Sequence, residues 1–280
     1  MKIIIHGGFF SESATNLATK KAKQDALAGI VQQAYQFLQN NTALATAVYT
    51  VSLLENNELF NAGYGSQIQS DGKVRLSASL MDGTTQKFSG VINLEDVKNP
   101  IEVAKTLLAY EDRVLSGEGA LAFARKNGFE YFNPITATRQ AEYEAKLNQQ
   151  NNIGTVGCVV LDAKGYIAAA TSTGGKGFEI PCRVSDSATV AGNFANQFAG
   201  ISCTGVGEDI VSGALAAKIV TRVTDGFTMK AACDKSFAEL KAFDGFAGVI
   251  GIAANGEIYH CDSHPYMVWA AYENGLQVFE

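Results

Sequence analysis

Two apolar runs joined by a short polar turn constrain the fold of this chain most. The runs span residues 155–161 and 166–173, are rich in Val, Ile, Ala and Thr, and flank the turn sequence "DAKG". Runs of this length and composition predict two buried β-strands that pair as a hairpin. A buried hairpin in a chain of 280 residues favours antiparallel sheets that are covered by helices.

The remaining segments fit the same class of fold. Apolar residues at helical spacing predict helices, and short apolar or alternating runs predict strands. Helices are predicted over residues 14–39, 41–54, 100–110, 138–148, 206–223 and 228–243. Strands are predicted over residues 2–6, 74–80, 88–96, 187–195 and 200–204, with a last hairpin over 247–260 that turns at Asn255-Gly256. Because the elements occur in blocks rather than in strand–helix alternation, the fold is predicted to be α+β.

Bulk composition excludes several classes of function. The chain is 47% hydrophobic and 18% charged, which is enough apolar material for a sizeable core. Its formal net charge is -6 and it has no long basic cluster, so no nucleic-acid partner is expected. No apolar run approaches the ~18 residues that span a bilayer, so no membrane partner is expected. Five cysteines without a CxxC pair indicate free thiols in a reducing compartment, and the expected location is cytoplasmic.

A polar tract precedes the first of the two apolar runs. Asn, Gln and charged residues dominate residues 126–154, and the pattern predicts a flexible linker over about 130–154. The tract ends at Gly154, and Thr155 opens the predicted strand. One interpretation is a loop that runs into a strand. The other is that the chain is cut between these two residues.

Cleavage at this junction would give Thr155 a chemistry that it otherwise lacks. A threonine hydroxyl is a poor nucleophile and needs a base, and a free α-amine with a pKa of roughly 7.7–8.0 can supply one. No histidine is then required, and the chain has only three. Glycine before the bond leaves the Gly154 carbonyl open to attack by the same hydroxyl.

Other catalytic and metal motifs are missing from the sequence. No GxSxG elbow, GxxxxGK[ST] loop or GxGxxG turn occurs. His260 and His264 are four residues apart, as in helical metal pairs, but Pro265 and the strand pattern before it argue against a helix there. A metal site at these histidines is therefore not expected.

Two segments rich in Thr, Ser and Gly indicate a ligand site. They are "TSTGG" at 171–175 and "SCTGVGE" at 202–208, and glycine turns at strand ends let backbone N–H groups approach a ligand. Between them lie Arg183 and Asp186. An arginine fork matches a carboxylate and an aspartate accepts from an ammonium, so the pair could hold both charged groups of an amino acid. A local surface salt bridge beside ordinary turns remains the alternative.

Several separated motifs, in order, resemble one known family. They are "IHGG" at 5–8, "LENNELFNAGYGS" at 54–66, "SASLMDG" at 77–83, "GTVGCVVLD" from Gly154, "GYIAAATSTGG", "RVSDS" and "SCTGVGE". Together they cover nearly the whole chain and resemble the plant-type asparaginase/isoaspartyl peptidase family of N-terminal-nucleophile hydrolases. The resemblance implies a four-layer αββα sandwich over residues 1–280. It also implies a precursor that splits into an α-subunit (1–154) and a β-subunit (155–280), assembled as a dimer of αβ units.

The same resemblance implies roles for individual residues. Thr155 is the expected nucleophile, Thr173 its neighbour, and Thr204 with the Gly205 N–H the expected oxyanion hole. Arg183 is expected to bind the substrate α-carboxylate and Asp186 its α-ammonium, with further contacts from Gly207 and Asn61. No catalytic cofactor is implied. A structural sodium ion is, held by the main-chain carbonyls of Leu54, Glu55, Asn57, Phe60, Ala62 and Tyr64.

The activity that the resemblance implies is hydrolysis of the side-chain amide of L-asparagine and of β-aspartyl dipeptides, which releases L-aspartate. Two alternatives stay open: a threonine hydrolase of the glycosylasparaginase or taspase kind with another leaving group, and an uncleaved amino-acid-binding protein without catalysis. The sequence departs from the family's pattern at Phe9-Phe10, Lys176-Gly177, Cys182, Ser185 and Val206. These departures bear on the leaving group and on the rate of cleavage.

Overall fold

The computed structural model describes residues 1–9, 17–146, 154–264 and 266–280. Its strands are Lys2–Phe9 (β1), Leu76–Asp82 (β2), Lys87–Leu94 (β3), Val114–Ser116 (β4), Val156–Leu161 (β5), Ile167–Thr173 (β6), Asn193–Ala195 (β7), Ala199–Gly205 (β8), Ala247–Ala253 (β9), Ile258–Asp262 (β10), Met267–Tyr272 (β11) and Leu276–Val278 (β12). Its helices are Leu17–Leu38 (α1), Ala43–Glu55 (α2), Pro100–Leu107 (α3), Gly117–Lys126 (α4), Ala137–Lys146 (α5), Gly207–Gly213 (α6), Leu215–Thr224 (α7) and Met229–Lys241 (α8). The chain is a mixed α+β protein, as the sequence predicts.

The strands of the described part of the chain form two sheets. The larger has the order β12-β11-β1-β5-β6-β2-β3-β4, and the smaller has the order β10-β9-β8-β7. Neighbouring strands are antiparallel except for the edge pair β3–β4, which is parallel. The prediction of purely antiparallel sheets is wrong at that edge, because α3 lies between β3 and β4 and returns the chain in the same direction.

Three buried apolar clusters hold the elements together. The first joins α1, α2 and α3 to the larger sheet and includes Leu27 and Val51. The second joins α6, α7 and α8 to the smaller sheet and includes Ile219 and Leu240. The third lies where strands of the two sheets meet, since it contains Val159 of the larger sheet and Ile250 of the smaller one. Burial of both faces explains why the central strands read as continuous apolar runs in the sequence.

The central hairpin is fixed by a single aspartate. Asp162 Oδ1 accepts from the backbone N–H groups of Lys164 and Tyr166, which closes the turn between β5 and β6. Its Oδ2 accepts from the N–H of Ala43 at the first turn of α2, so the turn is also tied to the covering helix. An Asp at the start of a short turn commonly bonds the backbone in this way. The predicted hairpin is confirmed, with strands that begin one residue later than expected.

The predicted helix over 206–223 is wrong as a single element. It is two helices, α6 and α7, because Ala214 between them adopts the left-handed conformation (φ 46°). The backbone N–H groups of Ala216 and Ala217 then donate to the carbonyls of Ala191 and Val190 instead of to the preceding turn. The break allows α7 to pack on the smaller sheet while α6 begins at the end of β8.

The predicted strand over 187–195 is also too long. Only Asn193–Ala195 of this range forms a strand, and a 3-10 turn occupies Asp186–Ala188. Thr189 stabilises this turn, since its N–H and hydroxyl both donate to the Asp186 carbonyl. Helix α4 and strands β4, β11 and β12 were not predicted. The predicted linker contains α5 at its start, and residues 147–153 of it lie outside the described residues.

Candidate active site

The central hairpin brings two threonines together at one end of the larger sheet. Val156 pairs with Ser172 across the hairpin, so Thr155 lies next to Thr173, the last residue of β6. The Thr155 hydroxyl donates to Thr173 Oγ1 over 3.3 Å, and both side chains are buried. A hydroxyl held against a second hydroxyl has its proton and lone pairs oriented, which is what a threonine nucleophile needs.

The carbonyl of Gly154 receives two hydrogen bonds. Asn61 Nδ2 donates to it over 2.6 Å, and Thr173 Oγ1 donates to it over 3.0 Å. Asn61 is held in place because its Oδ1 accepts from the N–H of Gln67 over 2.8 Å. Two fixed donors on one carbonyl oxygen would also stabilise the negative charge that develops there if the carbonyl carbon is attacked. Asn61 therefore contacts the predicted cleavage site itself.

Gly8 packs directly against the bond between Gly154 and Thr155. A Cβ on Gly8 would lie 3.0 Å from Thr155 N and 3.1 Å from Gly154 Cα, and the residue has a φ of 92°. Both facts favour glycine at this position. Phe9, one of the departures from the family's pattern, is buried and packs on Phe246, with 4.5 Å between ring centroids. Phe10 lies outside the described residues.

Arg183 and Asp186 face each other across Gly207. A Cβ on Gly207 would lie 2.6 Å from Arg183 Nη2 and 2.8 Å from Asp186 Oδ1, so only glycine leaves room between the two charged groups. Asp186 is buried, and burial raises the pKa of its carboxyl to about 7 although the Arg183 charge lowers it. Its Oδ2 atom has no hydrogen-bond partner among the described residues. A buried, unpaired carboxylate oxygen is suited to accept from an ammonium group.

Glu208, which the sequence analysis did not single out, holds the guanidinium of Arg183. Arg183 Nε and Nη2 donate to its two carboxylate oxygens over 2.7 and 2.8 Å. These bonds lower the pKa of Glu208 to about 2, so it is ionised near neutral pH. Lys176 Nζ lies 3.6 Å from the same carboxylate. Since a guanidinium has five N–H donors, Arg183 keeps donors for a substrate carboxylate after binding Glu208.

The predicted oxyanion-hole residues lie at the end of β8. Thr204 is fully buried, and its hydroxyl has no hydrogen-bond partner among the described residues. Gly205 has a φ of 134° and packs on the backbone of Phe246 and Ala247, where a Cβ would come within 2.6 Å of a carbonyl oxygen. Val206, another departure, caps α6 without a side-chain hydrogen bond.

A cavity of about 170 Å³ connects these groups. Its walls combine both threonines of the pair, the charged residues and the glycine-rich turns. The lining residues are Gly154, Thr155, Thr173, Gly175, Lys176, Arg183, Ser185, Asp186, Gly205, Val206, Gly207 and Glu208. Asn61 and Thr204 are not part of this lining, and Asn61 contacts it through the Gly154 carbonyl.

The departure at Cys182 has a conformational consequence. Cys182 has a φ of 66°, in the left-handed region that favours glycine. It is held there because its N–H donates to Gln69 Oε1 over 3.1 Å and its carbonyl accepts from Asn93 Nδ2 over 2.8 Å. Arg75 also donates to Gln69 Oε1, so a buried polar network supports the segment that leads into Arg183.

The side chain of Glu55 supports the strand that carries Thr173, a role that was not predicted from the sequence. Its carboxyl is fully buried and accepts from Ser172 Oγ over 2.7 Å and from the N–H of Ile101 over 3.1 Å. Burial raises the pKa of Glu55 to about 8. Because Ser172 precedes Thr173 in β6, this contact fixes the strand that carries the second threonine of the pair.

The loop from Leu54 to Tyr64 closes on itself. The Tyr64 N–H donates to the Glu55 carbonyl over 2.8 Å, and Gly63 packs so tightly on Glu55 that a Cβ would lie 2.6 Å from that oxygen. Each main-chain carbonyl has two lone pairs, so those already bonded can still bind a cation. The closed loop is therefore compatible with a sodium ion held by main-chain oxygens. Within the residues that the structure describes, no group of three or more His, Cys, Asp or Glu side chains could hold a metal ion.

Two adjacent threonine hydroxyls beside an arginine and an unpaired buried aspartate are the arrangement expected of a threonine-dependent amidohydrolase that binds an amino-acid head group. Comparison with known proteins gives the family. The model of the asparaginase family matches residues 1–278, and the chain belongs to this family.

The chain is similar to several proteins whose names state an activity. It is 43% identical to the isoaspartyl peptidase/L-asparaginase of Synechocystis sp., over 99% of this chain and 89% of the relative. It is 32% identical to the plant-type L-asparaginase of Pyrococcus horikoshii, over 98% and 97%. It is 34% identical to the isoaspartyl peptidase of Escherichia coli K12, over 91% and 88%. No helix in the described ranges is both long and apolar enough to cross a membrane.

Proposed function

We propose that this chain is a self-processing threonine amidohydrolase that hydrolyses β-aspartyl dipeptides and the side-chain amide of L-asparagine, releasing L-aspartate. The observation that carries the proposal is the placement of the Thr155 and Thr173 hydroxyls, 3.3 Å apart, in a cavity that also contains Arg183 and Asp186. The names of the relatives, isoaspartyl peptidase/L-asparaginase among them, support the same activity.

Self-cleavage would use the groups around Gly154. The Thr155 hydroxyl attacks the Gly154 carbonyl carbon, and Asn61 and Thr173 donate to the oxygen that gains the negative charge. The C–N bond then breaks, its electron pair goes to the Thr155 nitrogen and that nitrogen gains the proton lost by the hydroxyl, which leaves an ester between Gly154 and the threonine oxygen. Water hydrolyses the ester, and the products are the Gly154 carboxylate and a free Thr155 with its hydroxyl and α-amine.

Substrate hydrolysis would follow the same course. Arg183 binds the α-carboxylate and Asp186 the α-ammonium of the aspartyl group, which orients its side-chain carbonyl toward Thr155. The free α-amine takes the hydroxyl proton, and the oxygen attacks the carbonyl carbon. Thr204 and the Gly205 N–H stabilise the oxyanion, where each fixed donor lowers the barrier by ~3–4 kcal/mol. The amine or ammonia leaves with the proton, and water then releases L-aspartate from the acyl-threonine ester.

The test compares the purified protein with a Thr155→Ala variant and a Thr155→Ser control. Denaturing electrophoresis and intact mass should show two fragments that meet between Gly154 and Thr155, and the fragments should hydrolyse a β-aspartyl dipeptide and L-asparagine. Thr155→Ala should stay whole and inactive, while Thr155→Ser should retain slow cleavage and activity. An uncut protein with full activity would contradict the mechanism. Faster hydrolysis of glycosylated asparagine than of dipeptides would instead favour the other leaving group.

We also propose the four-layer αββα arrangement and one domain for residues 1–280. Two observations support it: helices α1–α3 share a core with the larger sheet, and α6–α8 share one with the smaller sheet. A third cluster between the sheets would be the middle of the sandwich. The proposed assembly is a dimer of αβ units, which the native mass of the cleaved protein tests.

The proposed sodium ion would be structural. It would be held by main-chain carbonyls of the loop that begins at Leu54 and ends at Tyr64, and it would stabilise the segment that presents Asn61. Replacement of sodium by choline in a thermal unfolding experiment should lower the melting temperature if the ion is bound. A cytoplasmic location is proposed as well, because the cysteines of the described residues are free thiols.

A further inference from the structure

A line of four buried polar groups runs through the protein behind Thr155. Thr171 Oγ1 lies 2.7 Å from Ser202 Oγ, and Ser202 Oγ lies 2.9 Å from His6 Nε2. His6 Nδ1 lies 3.0 Å from the carbonyl oxygen of Thr155. The side chains of His6, Thr171 and Ser202 are completely buried. We call these three side chains the His6 chain.

The donors and acceptors in the His6 chain can be assigned. The Thr155 carbonyl oxygen can only accept, so the proton of His6 is on Nδ1. Burial lowers the pKa of His6 to about 3, so the ring is neutral and Nε2 must accept from the Ser202 hydroxyl. Ser202 Oγ in turn accepts from Thr171. Each group therefore donates its proton to the next group on the way to Thr155. This is the one arrangement of protons that satisfies all four groups.

The His6 chain passes beside Gly157, where only glycine leaves enough space for it. A Cβ on Gly157 would lie 2.0 Å from Ser202 Oγ and 2.3 Å from His6 Nε2. His6 is on β1 and Thr171 on β6 of the larger sheet, whereas Ser202 is on β8 of the smaller sheet. The His6 chain therefore crosses from one sheet to the other and ends on the residue before β5.

The backbone of Thr155 is not paired with either neighbouring strand of the larger sheet. The pairing of β5 with β6 begins at Val156, and its pairing with β1 begins at Gly157. The carbonyl of Thr155 is held by the His6 side chain instead. This restraint matters most after cleavage, because Thr155 is then the first residue of its subunit and chain ends are the least ordered part of a strand.

We propose that the His6 chain positions the nucleophile: by holding the Thr155 carbonyl, it fixes the rotation of the residue so that the hydroxyl and the free amine face the substrate together. His6 is a positioning residue in this proposal, since it contacts Thr155 through the carbonyl and not the reacting atoms. The inference rests on the proposed function, in which Thr155 is the nucleophile. Arg183 and Asp186, which bind the amino-acid head group, lie outside the His6 chain.

Two variants of His6 separate positioning from packing. In His6→Asn the amide nitrogen takes the place of Nδ1 and can still donate to Thr155, but it is too short to reach Ser202. In His6→Gln the longer amide reaches toward Ser202 and leaves Thr155 without its donor. If the proposal holds, kcat for a β-aspartyl dipeptide falls at least about tenfold in His6→Gln and less in His6→Asn, with KM within about twofold of the parent.

Ser202→Ala and Ser236→Ala form a matched pair of controls. Ser236 is a buried serine of α8 that bonds Arg222 and the Ala232 carbonyl, away from the site. Both variants lose one buried hydroxyl and should lose similar stability, but only Ser202→Ala should lower kcat, by about threefold to tenfold. If a His6 variant fails to fold or to cleave, Ser202→Ala still tests the positioning role.

The outcomes are distinct. Equal kcat in His6→Asn and His6→Gln, or a fall in kcat in Ser236→Ala as large as in Ser202→Ala, overturns the positioning role. A rise in KM without a change in kcat also overturns it. Inactive, uncleaved parent protein would instead overturn the proposed function, so the two failures can be told apart.

Discussion

Replacement of Asp186 by Asn should make the protein more stable and less able to bind substrate. Burial raises the pKa of the Asp186 carboxyl from 3.8 to about 7. Each pH unit between those two values is worth ~1.4 kcal/mol, so the ionised carboxylate destabilises the folded protein by about 4 kcal/mol. This cost is absent when the carboxyl is protonated in both the folded and the unfolded chain. It grows as the pH rises from about 4 to about 7, because the unfolded chain then releases the proton first.

The assay is urea unfolding of the Asp186→Asn variant and its parent across a pH series. A Thr155→Ala background keeps the chain in one piece, so that unfolding does not separate an α-subunit from a β-subunit. Variant and parent are compared at one protein concentration, because the proposed assembly is a dimer. The free energy of unfolding of the variant should exceed that of the parent by a margin that widens by about 3 kcal/mol between pH 4.5 and pH 8. The difference between the two curves isolates Asp186, since all other titrating groups are common to both proteins.

Parallel stability curves would contradict this prediction, because they would mean that Asp186 titrates alike in the folded and the unfolded protein. Activity gives the second measurement in the cleaved enzyme. Loss of the carboxylate removes a charged hydrogen bond to the substrate ammonium, so KM for L-asparagine should rise ~10- to 100-fold. A variant that gains stability and keeps the KM of the parent would show that Asp186 does not bind the ammonium.

Three further substitutions test other parts of the site. Gly8→Ala should slow or block self-cleavage, seen as uncut chain by intact mass, because the new Cβ would lie 3.0 Å from Thr155 N. Arg183→Lys keeps the charge but loses the planar fork, and KM should rise at least about tenfold with a smaller change in kcat. Thr204→Val removes a buried hydroxyl that has no partner among the described residues, so it should raise the free energy of unfolding by about 1 kcal/mol. The same variant should lower kcat ~100-fold if that hydroxyl stabilises the oxyanion.

Much of the site could be predicted from the sequence because its parts are local. Thr155 directly precedes the first strand of the hairpin and Thr173 ends the second, and the register of the hairpin brings them together. Arg183 and Asp186 are three residues apart in the chain. The general division into helices and strands also followed from periodicity, which reports burial of one face or of both.

The contacts that were missed join residues far apart in the chain. Glu208 binds Arg183 from 25 residues away, and Glu55 bonds Ser172 from 117 residues away. No local pattern reports such a pairing, since it depends on how the two sheets and their helices pack. The break at Ala214 was missed for a similar reason: alanine favours a helix, and tertiary hydrogen bonds to Val190 and Ala191 override that preference.

Polar groups without partners among the described residues, in the pocket and beside it, support the proposed class of ligand. Asp186 has a buried carboxylate oxygen without a donor, and Thr204 has a buried hydroxyl without a partner within the described ranges. Arg183, held from one side by Glu208, keeps further N–H donors. An ammonium, a carbonyl oxygen and a carboxylate would satisfy these three groups in turn, and an amino acid with a side-chain amide carries all of them on one small frame. Buried polar groups without hydrogen bonds lower the stability of the free protein. A ligand that supplies the missing hydrogen bonds removes this free-energy cost when it binds.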